Sequence, residues 1–530
     1  MNVSALLAAN GRKYPDKPAL VAGDVEVSYS QWDTRSTQWA FYLQELAFYL
    51  QELGIEQGDR VVMLMPNCPE FAIFYVAVIR TGALVVPINA RSTQEEVRHI
   101  CEHAGVKALL VHDALVPIVN EWVLQTPQLV AIKTGTSQGN WQGIAEWDAN
   151  EVSFDEMNAL SLQPYLVNMN EDSEVSILYT SGTTGRPKGV LYTHRSLLTV
   201  AKMMSIELTM THRSRILHLM PLSHSAPLHL FFIAGLMLGA TQVMALTFSP
   251  QLLLDLVQQH RITHFFGAPV AYLLTMKHPE FASYDLSSIE YWMYGGAPLS
   301  KEMAALMEEA YGRDKLACVY GLTEAGPTGM CLLHREHPDK IGSIGNRGVL
   351  FVEMEVVDER GERCASGEVG EIRLRGEGTM KGYYNNPEAT AESIREGWVY
   401  TGDIARVDED GFLWMIDRKK DVMITGGVNV YPKEIEQLLE RHPLIGEVAV
   451  VGLPHVEWGE TVTAYVVLKS GVDNNRDWLE EIQSFLRGHL ADYKLPRQVH
   501  IVPALPRNTS GKVLKHVLRD VSSQKEVELR

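Results

Sequence analysis

Residues 179–190 have the composition of a loop that binds phosphate groups. They read YTSGTTGRPKGV, and so combine three glycines with four Ser or Thr hydroxyls and Lys188. Glycine lets backbone N–H groups approach an anion because it has no Cβ, hydroxyls donate hydrogen bonds, and the lysine adds positive charge. The spacing does not match a Walker A loop, and a polar turn would have a similar composition. The residues that we expect to contact phosphate are Thr180, Ser181, Gly182, Thr183, Thr184, Gly185 and Lys188.

Further short motifs follow this segment in a fixed order. Each contains side chains that can bind a ligand or take part in catalysis, although each string alone is weak evidence. All of them in one order are difficult to explain by chance. The motifs are PLSH at 221–224, YGGAPLS at 294–300, YGLTE at 320–324, YTGD at 400–403, the segment 417–427 and NTSGK at 508–512.

Together with the loop, these motifs resemble the adenylate-forming superfamily of acyl-CoA synthetases, firefly-type luciferases and the adenylation domains of peptide synthetases. The resemblance extends over roughly residues 14–514 and is most like a fatty acyl-CoA ligase. It implies an AMP-forming acid–thiol ligase. A carboxylate would react with ATP to give acyl-AMP and pyrophosphate, and the CoA thiol would then give acyl-CoA and AMP. Mg²⁺ is the implied cofactor, with ATP and CoA as co-substrates.

The resemblance assigns three side chains to the first half-reaction. Glu324 would help to hold Mg²⁺, a hard cation that prefers oxygen ligands, and Thr323 would donate to the α-phosphate. A Thr–Glu pair is also common at the start of a helix. Lys512 would bridge the substrate carboxylate and the α-phosphate, where a cation stabilises the charge of the transition state.

The nucleoside of ATP has its own implied contacts. Asp403 is suited to accept hydrogen bonds from both ribose hydroxyls, and Arg418 would reach the ribose. A Gly–Asp turn is the simpler interpretation of residues 402–403. Tyr320 would stack on the adenine ring. The backbone edge that faces the adenine would consist of Gly295, Gly296 and Ala297.

The resemblance also implies that the C-terminal domain rotates between the two half-reactions. Lys420 is the implied hinge residue, and Lys512 would leave the active site as the domain turns. Gly426 and Gly427 would then line the channel for the pantetheine arm of CoA, because glycines permit a close approach.

The nature of the acyl group is inferred from charge rather than from the resemblance. No Asp, Glu, Lys or Arg occurs between Ile216 and Leu254, the span expected to line the acyl pocket. A short dicarboxylate would need a buried cation there, so the span favours a hydrophobic acid of medium or long chain. A histidine on such a segment is often a core residue, but we expect His224 to shape the pocket near the carboxylate. The expected pocket residues are His224, Leu228, Trp292 and Met293.

Other functions are left open by the motifs. Three other kinds of enzyme share the first step, the formation of acyl-AMP. They are an aromatic-acid CoA ligase, a fatty acyl-AMP ligase that loads a carrier protein, and a luciferase-like oxygenase. Acyl-AMP ligases carry an insertion before the hinge, and no extra segment stands between Asp403 and Lys420. A nucleotide-binding regulator without activity is disfavoured by the presence of Lys512 and Glu324.

These residues need a scaffold that places them together. Up to about residue 270, helical patterns alternate with apolar runs such as Arg60–Met65 and Ala108–His112, which predicts mostly parallel sheets flanked by helices. A strand-rich region follows from about 342 to 415, and an α+β pattern follows residue 432. We therefore expect the α/β class, with a large N-terminal AMP-binding domain at 1–417 that includes a β-rich subdomain, and a small mobile C-terminal α+β domain at 418–530.

The bulk composition is that of an ordinary globular protein. The chain has 530 residues and a formal net charge of −18, which argues against nucleic acid or an anionic membrane as a partner. Five widely spaced cysteines, with no signal peptide or membrane-spanning run in the sequence, predict a cytoplasmic protein with reduced thiols. A homodimer and a peripheral contact with a membrane are left open.

One heptad occurs twice in tandem, as AFYLQEL at 40–46 and again at 47–53. One added heptad shifts the apolar face of a helix by only about 20°, so a helix can absorb the second copy. A recent duplication or an artefact of the sequence is the simplest interpretation.

Overall fold

The structure, a computed structural model, describes most of the chain. The described residues are 2–49, 54–123, 130–134, 145–146, 169–180, 187–297, 299, 301–425, 428–455, 458–474, 476–507 and 512–520. Internal contacts divide the chain into unit 1, Met1–Met354 with Leu374–Tyr400, and unit 2, Glu355–Arg373 with Thr401–Arg530. The domain boundary predicted after residue 417 is not tested by this division and stays a prediction.

Helices and strands alternate along most of the chain. The strands are β1 (Pro18–Ala22), β2 (Val25–Ser28), β3 (Arg60–Leu64), β4 (Leu84–Ile88), β5 (Ala108–His112), β6 (Val130–Thr134), β7 (Ala145–Glu146), β8 (Glu174–Thr180), β9 (Lys188–Thr193), β10 (Arg215–His218), β11 (Thr241–Met244), β12 (His264–Gly267), β13 (Tyr291–Gly295), β14 (Leu316–Gly321), β15 (Gly329–Leu333), β16 (Val352–Val357), β17 (Val369–Gly376), β18 (Gly382–Tyr383), β19 (Ile394–Arg395), β20 (Trp398–Val407), β21 (Leu413–Arg418), β22 (Met423–Thr425), β23 (Val428–Val430), β24 (Ile445–His455), β25 (Gly459–Leu468) and β26 (Gln498–Ile501). The helices are α1 (Val3–Lys13), α2 (Tyr29–Tyr49), α3 (Pro69–Arg80), α4 (Gln94–Ala104), α5 (Val116–Val123), α6 (His194–Glu207), α7 (Ile233–Leu238), α8 (Pro250–His260), α9 (Pro269–Met276), α10 (Lys301–Tyr311), α11 (Pro387–Ser393), α12 (Pro432–Leu439) and α13 (Trp478–Leu486). A π-helical segment, Ala226–Phe232, leads directly into α7.

Unit 1 contains two eight-stranded sheets. Sheet A has the order β15-β14-β13-β12-β10-β11-β1-β2, and sheet B has the order β18-β9-β8-β4-β3-β5-β6-β7. The strands of sheet A from β14 to β1 pair in parallel, and so do those of sheet B from β8 to β7. The α/β class with mostly parallel sheets is therefore confirmed.

The central strands of sheet B form because their residues are apolar on both faces. Every residue of β4 is buried, and so is every residue of β3 after Arg60. Strands covered by helices on both sides have this pattern. Helix α4 then has clear limits, because Thr93 and Glu96 form a capping box at its start and Gly105 follows its end in the left-handed conformation.

Unit 2 contains the α+β module predicted after residue 432. Its sheet C has the order β23-β22-β25-β24, with β26 paired in parallel to β25. Helix α13 ends at Leu486, because Arg487 has a ψ of 132° and Gly488 a φ of 89°, which a continuing helix does not allow.

Helix α2 contains the whole first copy of the duplicated heptad and continues into the second copy as far as Tyr49. Residues 50–53 lie outside the described part of the chain, so the second copy is only partly seen. Among the described residues, no helix has the length and apolar composition needed to cross a membrane.

Candidate active site

Three of the predicted motifs follow parallel strands of sheet A. β10, β13 and β14 end at His218, Gly295 and Gly321. Because the carboxyl ends of parallel strands meet at one edge of a sheet, the segments that carry His224 and Thr323 leave from the same edge as Gly295. Ligands of open α/β sheets bind at this edge.

The predicted phosphate loop follows β8 at the carboxyl edge of sheet B and precedes β9 in the chain. β8 is parallel to β4, and it pairs with β9 so that Thr180 faces Lys188. Both of these residues are half-buried. Residues 181–186 lie outside the described part of the chain. The phosphate contacts expected for Ser181, Gly182, Thr183, Thr184 and Gly185 therefore stay predictions.

Tyr383 connects the phosphate loop to the candidate metal ligand. The Nζ atom of Lys188 lies 5.1 Å from the centroid of the Tyr383 ring, and the Tyr383 hydroxyl donates to Oε1 of Glu324 at 2.8 Å. Burial, and then the charge of Glu324, raise the pKa of Tyr383. The phenol therefore stays protonated and serves as a donor, so that Lys188 and Glu324 are held by one side chain.

Thr323 is held by two hydroxyl groups. Its Oγ1 lies 2.9 Å from Oγ of Ser225, and its backbone oxygen accepts from the hydroxyl of Tyr192. Thr323 begins a short 3₁₀ turn, Thr323–Ala325, whose N-cap is Leu322 without a side-chain cap. Since Thr323 does not cap a helix, its side chain is oriented by Ser225 instead.

His224 is half-buried and contacts a residue of sheet B. Its Nε2 lies 3.1 Å from Nδ2 of Asn89, which directly follows β4. The segment before it is held by Asn67, whose Nδ2 donates to the carbonyl groups of His218 and Met220 at 3.1 and 2.9 Å. His224 is thus fixed between the carboxyl edges of the two sheets.

The expected adenine edge lies on two neighbouring strands. A Cβ on Gly295 would lie 2.2 Å from the carbonyl oxygen of Val319, so only glycine allows β13 and β14 to approach this closely. Gly296 has a φ of 76°, and it and Ala297 are exposed. Tyr320 follows Val319, the register partner of Gly295, so the structure brings Tyr320 to the predicted edge.

A buried chain of hydrogen bonds supports this edge from the other side. The hydroxyl of Tyr294 lies 2.9 Å from Nε2 of His334, whose Nδ1 lies 3.0 Å from Oε1 of Glu308. Burial lowers the pKa of His334, and Glu308 opposes that shift. The chain joins α10, β13 and the residue after β15, and so fixes the backbone just before Gly295.

Of the three apolar residues expected in the acyl pocket, two belong to the main buried core of unit 1 and one does not. Leu228 and Met293 are both fully buried members of that core. Trp292 packs on the rings of Tyr272 and Tyr311, at 6.0 and 5.0 Å. Because successive residues of a strand point to opposite faces, Trp292 faces away from Met293 and Leu228.

In unit 2, Asp403 and Arg418 face each other across β20 and β21. The register pairs them, and Nε of Arg418 lies 3.2 Å from Oδ1 of Asp403. The Asp403 side chain is 7% exposed and that of Arg418 48% exposed. The two residues predicted to contact ribose are therefore neighbours.

The remaining predicted residues of unit 2 are described only in part. Lys420 belongs to a short 3₁₀ turn, Lys419–Asp421, and burial lowers its pKa. Lys512 has an exposed side chain. Gly426 and Gly427 lie outside the described residues. The hinge, the carboxylate bridge and the CoA channel stay predictions.

The donor atoms of unit 1 suit magnesium held largely by a nucleotide. Within the described ranges, no group of three or more His, Cys, Asp or Glu side chains is arranged to hold a metal ion. Glu324 offers one half-buried carboxylate. Mg²⁺ is commonly bound by one or two carboxylates together with phosphate oxygens and water, so Glu324 fits this ion.

Several residues that build the site were not predicted. Asn67, Asn89, Tyr192, Ser225 and Tyr383 all contact predicted residues or the segments that carry them. Asn67 and Asn89 each lie within three residues of the end of a strongly apolar strand. A polar residue in that position could have been predicted to lie near the site. Tyr383 lies 59 residues after Glu324, in the two-residue strand β18, where the sequence offers no comparable signal.

Two family models match the chain. The AMP-binding enzyme model matches residues 7–384, and the AMP-binding enzyme C-terminal domain model matches residues 434–512. A feruloyl-CoA synthase from Amycolatopsis sp is 36% identical over 469 residues, which cover 88% of this chain and 89% of that protein. A long-chain-fatty-acid–CoA ligase from Bacillus subtilis is 33% identical over 496 residues, covering 89% of this chain and 87% of that protein.

A solved structure agrees with this match. The fatty acyl CoA synthetase of Mycobacterium tuberculosis superposes with a TM-score of 0.73 at 31% identity, and the superposition covers 99% of both chains. The chain therefore belongs to the AMP-binding enzyme family, as an acyl-CoA ligase of the adenylate-forming kind.

Proposed function

We propose that this ligase activates a hydrophobic carboxylic acid, of the medium- or long-chain fatty class, through acyl-AMP to acyl-CoA. The observation that carries the proposal is the uncharged character of the span 216–254, which contains no Asp, Glu, Lys or Arg. The same span contributes the π-helical segment, with Leu228, to the buried core that also contains Met293.

The buried histidines of this span do not add a charge. His218 is 2% exposed and His229 is fully buried. Burial lowers the pKa of His218 to about 4 and that of His229 to about 3, so both rings are neutral at neutral pH. A charged acyl substituent would therefore meet no partner here, and an unpaired buried charge costs several kcal/mol.

Contacts within each unit support the proposed binding of the nucleotide. In unit 1, Thr180 and Lys188 flank the phosphate loop, while Glu324 would bind Mg²⁺ beside Tyr383 and Thr323 would contact the α-phosphate. In unit 2, Asp403 would accept from the ribose hydroxyls, with its carboxylate held by Arg418. Magnesium, when bound, would neutralise charge on the phosphate groups.

An aromatic acid is the second candidate for the substrate. Phe231 and Phe266 stack with their centroids 5.1 Å apart, next to the predicted acyl-pocket residues of the π-helical segment. Flat rings pack well against such a pair. One of the relatives is named a feruloyl-CoA synthase, which agrees with this candidate.

A pyrophosphate-release assay over a panel of acids distinguishes the candidates. Saturated acids should gain about fourfold in kcat/KM for each added methylene, since burial of one CH₂ contributes about 0.8 kcal/mol, until the pocket ends. Ferulate and benzoate test the aromatic candidate, and succinate and phenylalanine serve as charged controls. If a charged control turned over faster than hexanoate through dodecanoate, the hydrophobic assignment would be wrong.

The same panel with and without CoA tests the second half-reaction. A ligase forms thioester and AMP only when CoA is present. Acyl-AMP that accumulates unchanged in the presence of CoA would instead indicate transfer to a carrier protein, and light emission would indicate an oxygenase.

A further inference from the structure

The hydrogen bonds of Asn89 determine which of its atoms faces His224. Asn89 is 8% exposed. Its Oδ1 accepts from the backbone N–H of Arg91 at 2.9 Å. A backbone N–H can only donate, so the atom of the Asn89 amide that lies there must be the oxygen. The NH₂ group of Asn89 therefore faces the ring of His224, at 3.1 Å from Nε2.

This contact determines the protonation of the His224 ring. An amide NH₂ group can only donate, so Nε2 of His224 must accept and cannot carry a proton. A neutral imidazole has one N–H group, which is then on Nδ1. In a doubly protonated ring, an N–H would point at the two hydrogens of the amide, and the contact would be repulsive.

The backbone that presents His224 is fixed from the same sheet edge. Asn67, which is 5% exposed, donates to the carbonyl groups of His218 and Met220, and its Oδ1 accepts from the N–H of Leu222 at 2.9 Å. Asn67 and Asn89 follow the neighbouring parallel strands β3 and β4. Two asparagines of sheet B therefore hold the segment from sheet A, one by its backbone and one by its histidine ring.

We propose that Asn89 is a positioning residue for the adenylation reaction, because it fixes His224 as a neutral ring with its proton on Nδ1. The proposal rests on the role proposed above for His224 near the substrate carboxylate. A neutral ring places no positive charge beside the acid. The carboxylate then keeps the electron density with which it attacks the α-phosphate.

The Asn89→Asp variant reverses the polarity of this contact with little change in shape. Its side chain can still accept from the N–H of Arg91, but the atom that faces His224 becomes an acceptor. Nε2 of His224 must then carry a proton. Asn170→Asp is the matched control, because Oδ1 of Asn170 also accepts from the N–H two residues ahead, at 2.9 Å, on an exposed turn.

Nitrogen-15 NMR of the histidine rings reads the protonation directly. The His224 signals are assigned by their absence from the His224→Gln variant. We expect an unprotonated Nε2 and a protonated Nδ1 in the wild-type protein, and a protonated Nε2 in Asn89→Asp. A protonated Nε2 in the wild-type protein overturns the proposal, and this measurement does not require the Asn89 variant to fold.

Steady-state kinetics connects the protonation to the reaction. In Asn89→Asp we expect kcat for acyl-AMP formation to fall about tenfold, equivalent to about 1.4 kcal/mol, because the proton on Nε2 weakens the carboxylate as a nucleophile, while the KM for ATP changes less than about twofold. Asn170→Asp should match the wild type in both. A changed tautomer with an unchanged kcat for acyl-AMP formation overturns the positioning role. Failure of the proposed function would be seen differently, as an absence of acyl-CoA from the wild-type enzyme with every acid of the panel.

Discussion

At the scale of single residues, Tyr383 joins the cation of the phosphate loop to the candidate metal ligand. Its ring lies under Lys188 and its hydroxyl donates to Glu324. A hydrogen bond to a charged group contributes about 1.5–3 kcal/mol. We expect Tyr383→Phe to lower the rate of ATP–pyrophosphate exchange by about tenfold and to raise the Mg²⁺ concentration needed for half-maximal rate.

Tyr384→Phe is the control for this change. The hydroxyl of Tyr384 lies 3.5 Å from the carbonyl oxygen of Ala104, which is a weak contact away from Glu324. The control should keep the wild-type Mg²⁺ dependence. Equal losses in the two variants would show that Tyr383 acts through packing alone.

Lys512 offers a second test at this scale. If it bridges the carboxylate and the α-phosphate, Lys512→Ala should lower acyl-AMP formation by about 2.7–4 kcal/mol, or about 10²–10³ in rate. Thioester formation from acyl-AMP and CoA should change little. Quenched-flow assays of the two half-reactions measure both, with Lys469→Ala as the control, since Lys469 bonds a carbonyl group of its own unit. Equal damage to both half-reactions would contradict the prediction.

At the scale of elements, helix α2 tests the meaning of the duplicated heptad. Trp39, just before the first copy, and Leu43, within it, are both buried. The N–H of Ile55, which follows the second copy, donates to the carbonyl of Leu43. Removal of residues 47–53 shifts the helical phase by only about 20°. We expect the deletion to keep the fold and activity, with a loss of unfolding free energy below about 3 kcal/mol, measured by urea denaturation.

A shorter deletion is the control for helical phase. Removal of residues 47–51 changes the helical phase between the first copy and the residues that follow it by about 140°, because each helical residue contributes about 100°. This variant should lose far more stability than the seven-residue deletion. If both deletions were equally damaging, the second copy would be built into the core.

The elements themselves were largely predictable, and the contacts between them were not. β5 was predicted with its observed limits, because an apolar run between polar residues is a local property. The contacts of Asn89 with His224 and of Tyr383 with Glu324 join residues 135 and 59 positions apart. Trp292 and Met293 show the same limit, since an apolar pair in sequence does not reveal which face of the strand each residue takes.

At the scale of the whole molecule, buried neutral histidines make stability depend on pH. Burial lowers the pKa of His194, His218 and His264 from 6.5 to about 4, and that of His229 to about 3. Between pH 6.5 and these values, the unfolded chain binds protons that the folded protein does not bind. The free energy of unfolding should therefore fall as the pH is lowered through this window. Above pH 6.5 the stability contributed by the neutral histidines is fully present.

Urea denaturation at pH 7.5, 6, 5 and 4.5 measures this loss. His229→Leu is the informative variant, because neither ring nitrogen of His229 has a hydrogen-bond partner in the described residues. In this variant the unfolding free energy should depend less steeply on pH, by the equivalent of about one fewer proton taken up on unfolding. Its stability at pH 7.5 should not fall. An unchanged slope would mean that His229 is not buried as a neutral ring.

The division of the chain into units has a consequence for synthesis on the ribosome. Unit 2 is made of two separate stretches, Glu355–Arg373 and Thr401–Arg530. Its early stretch supplies Glu371, which pairs with Lys419 at 2.8 Å and accepts from the N–H of Gly402. The early stretch leaves the ribosome before the residues of the second stretch that it contacts have been synthesised. Because domains fold as units during synthesis, the early stretch can take its final structure only after the second stretch has emerged. A fragment that begins at residue 418 would lack Glu371 and Asp403, although it would keep the buried core of sheet C, whose residues all lie between Met423 and Ile501.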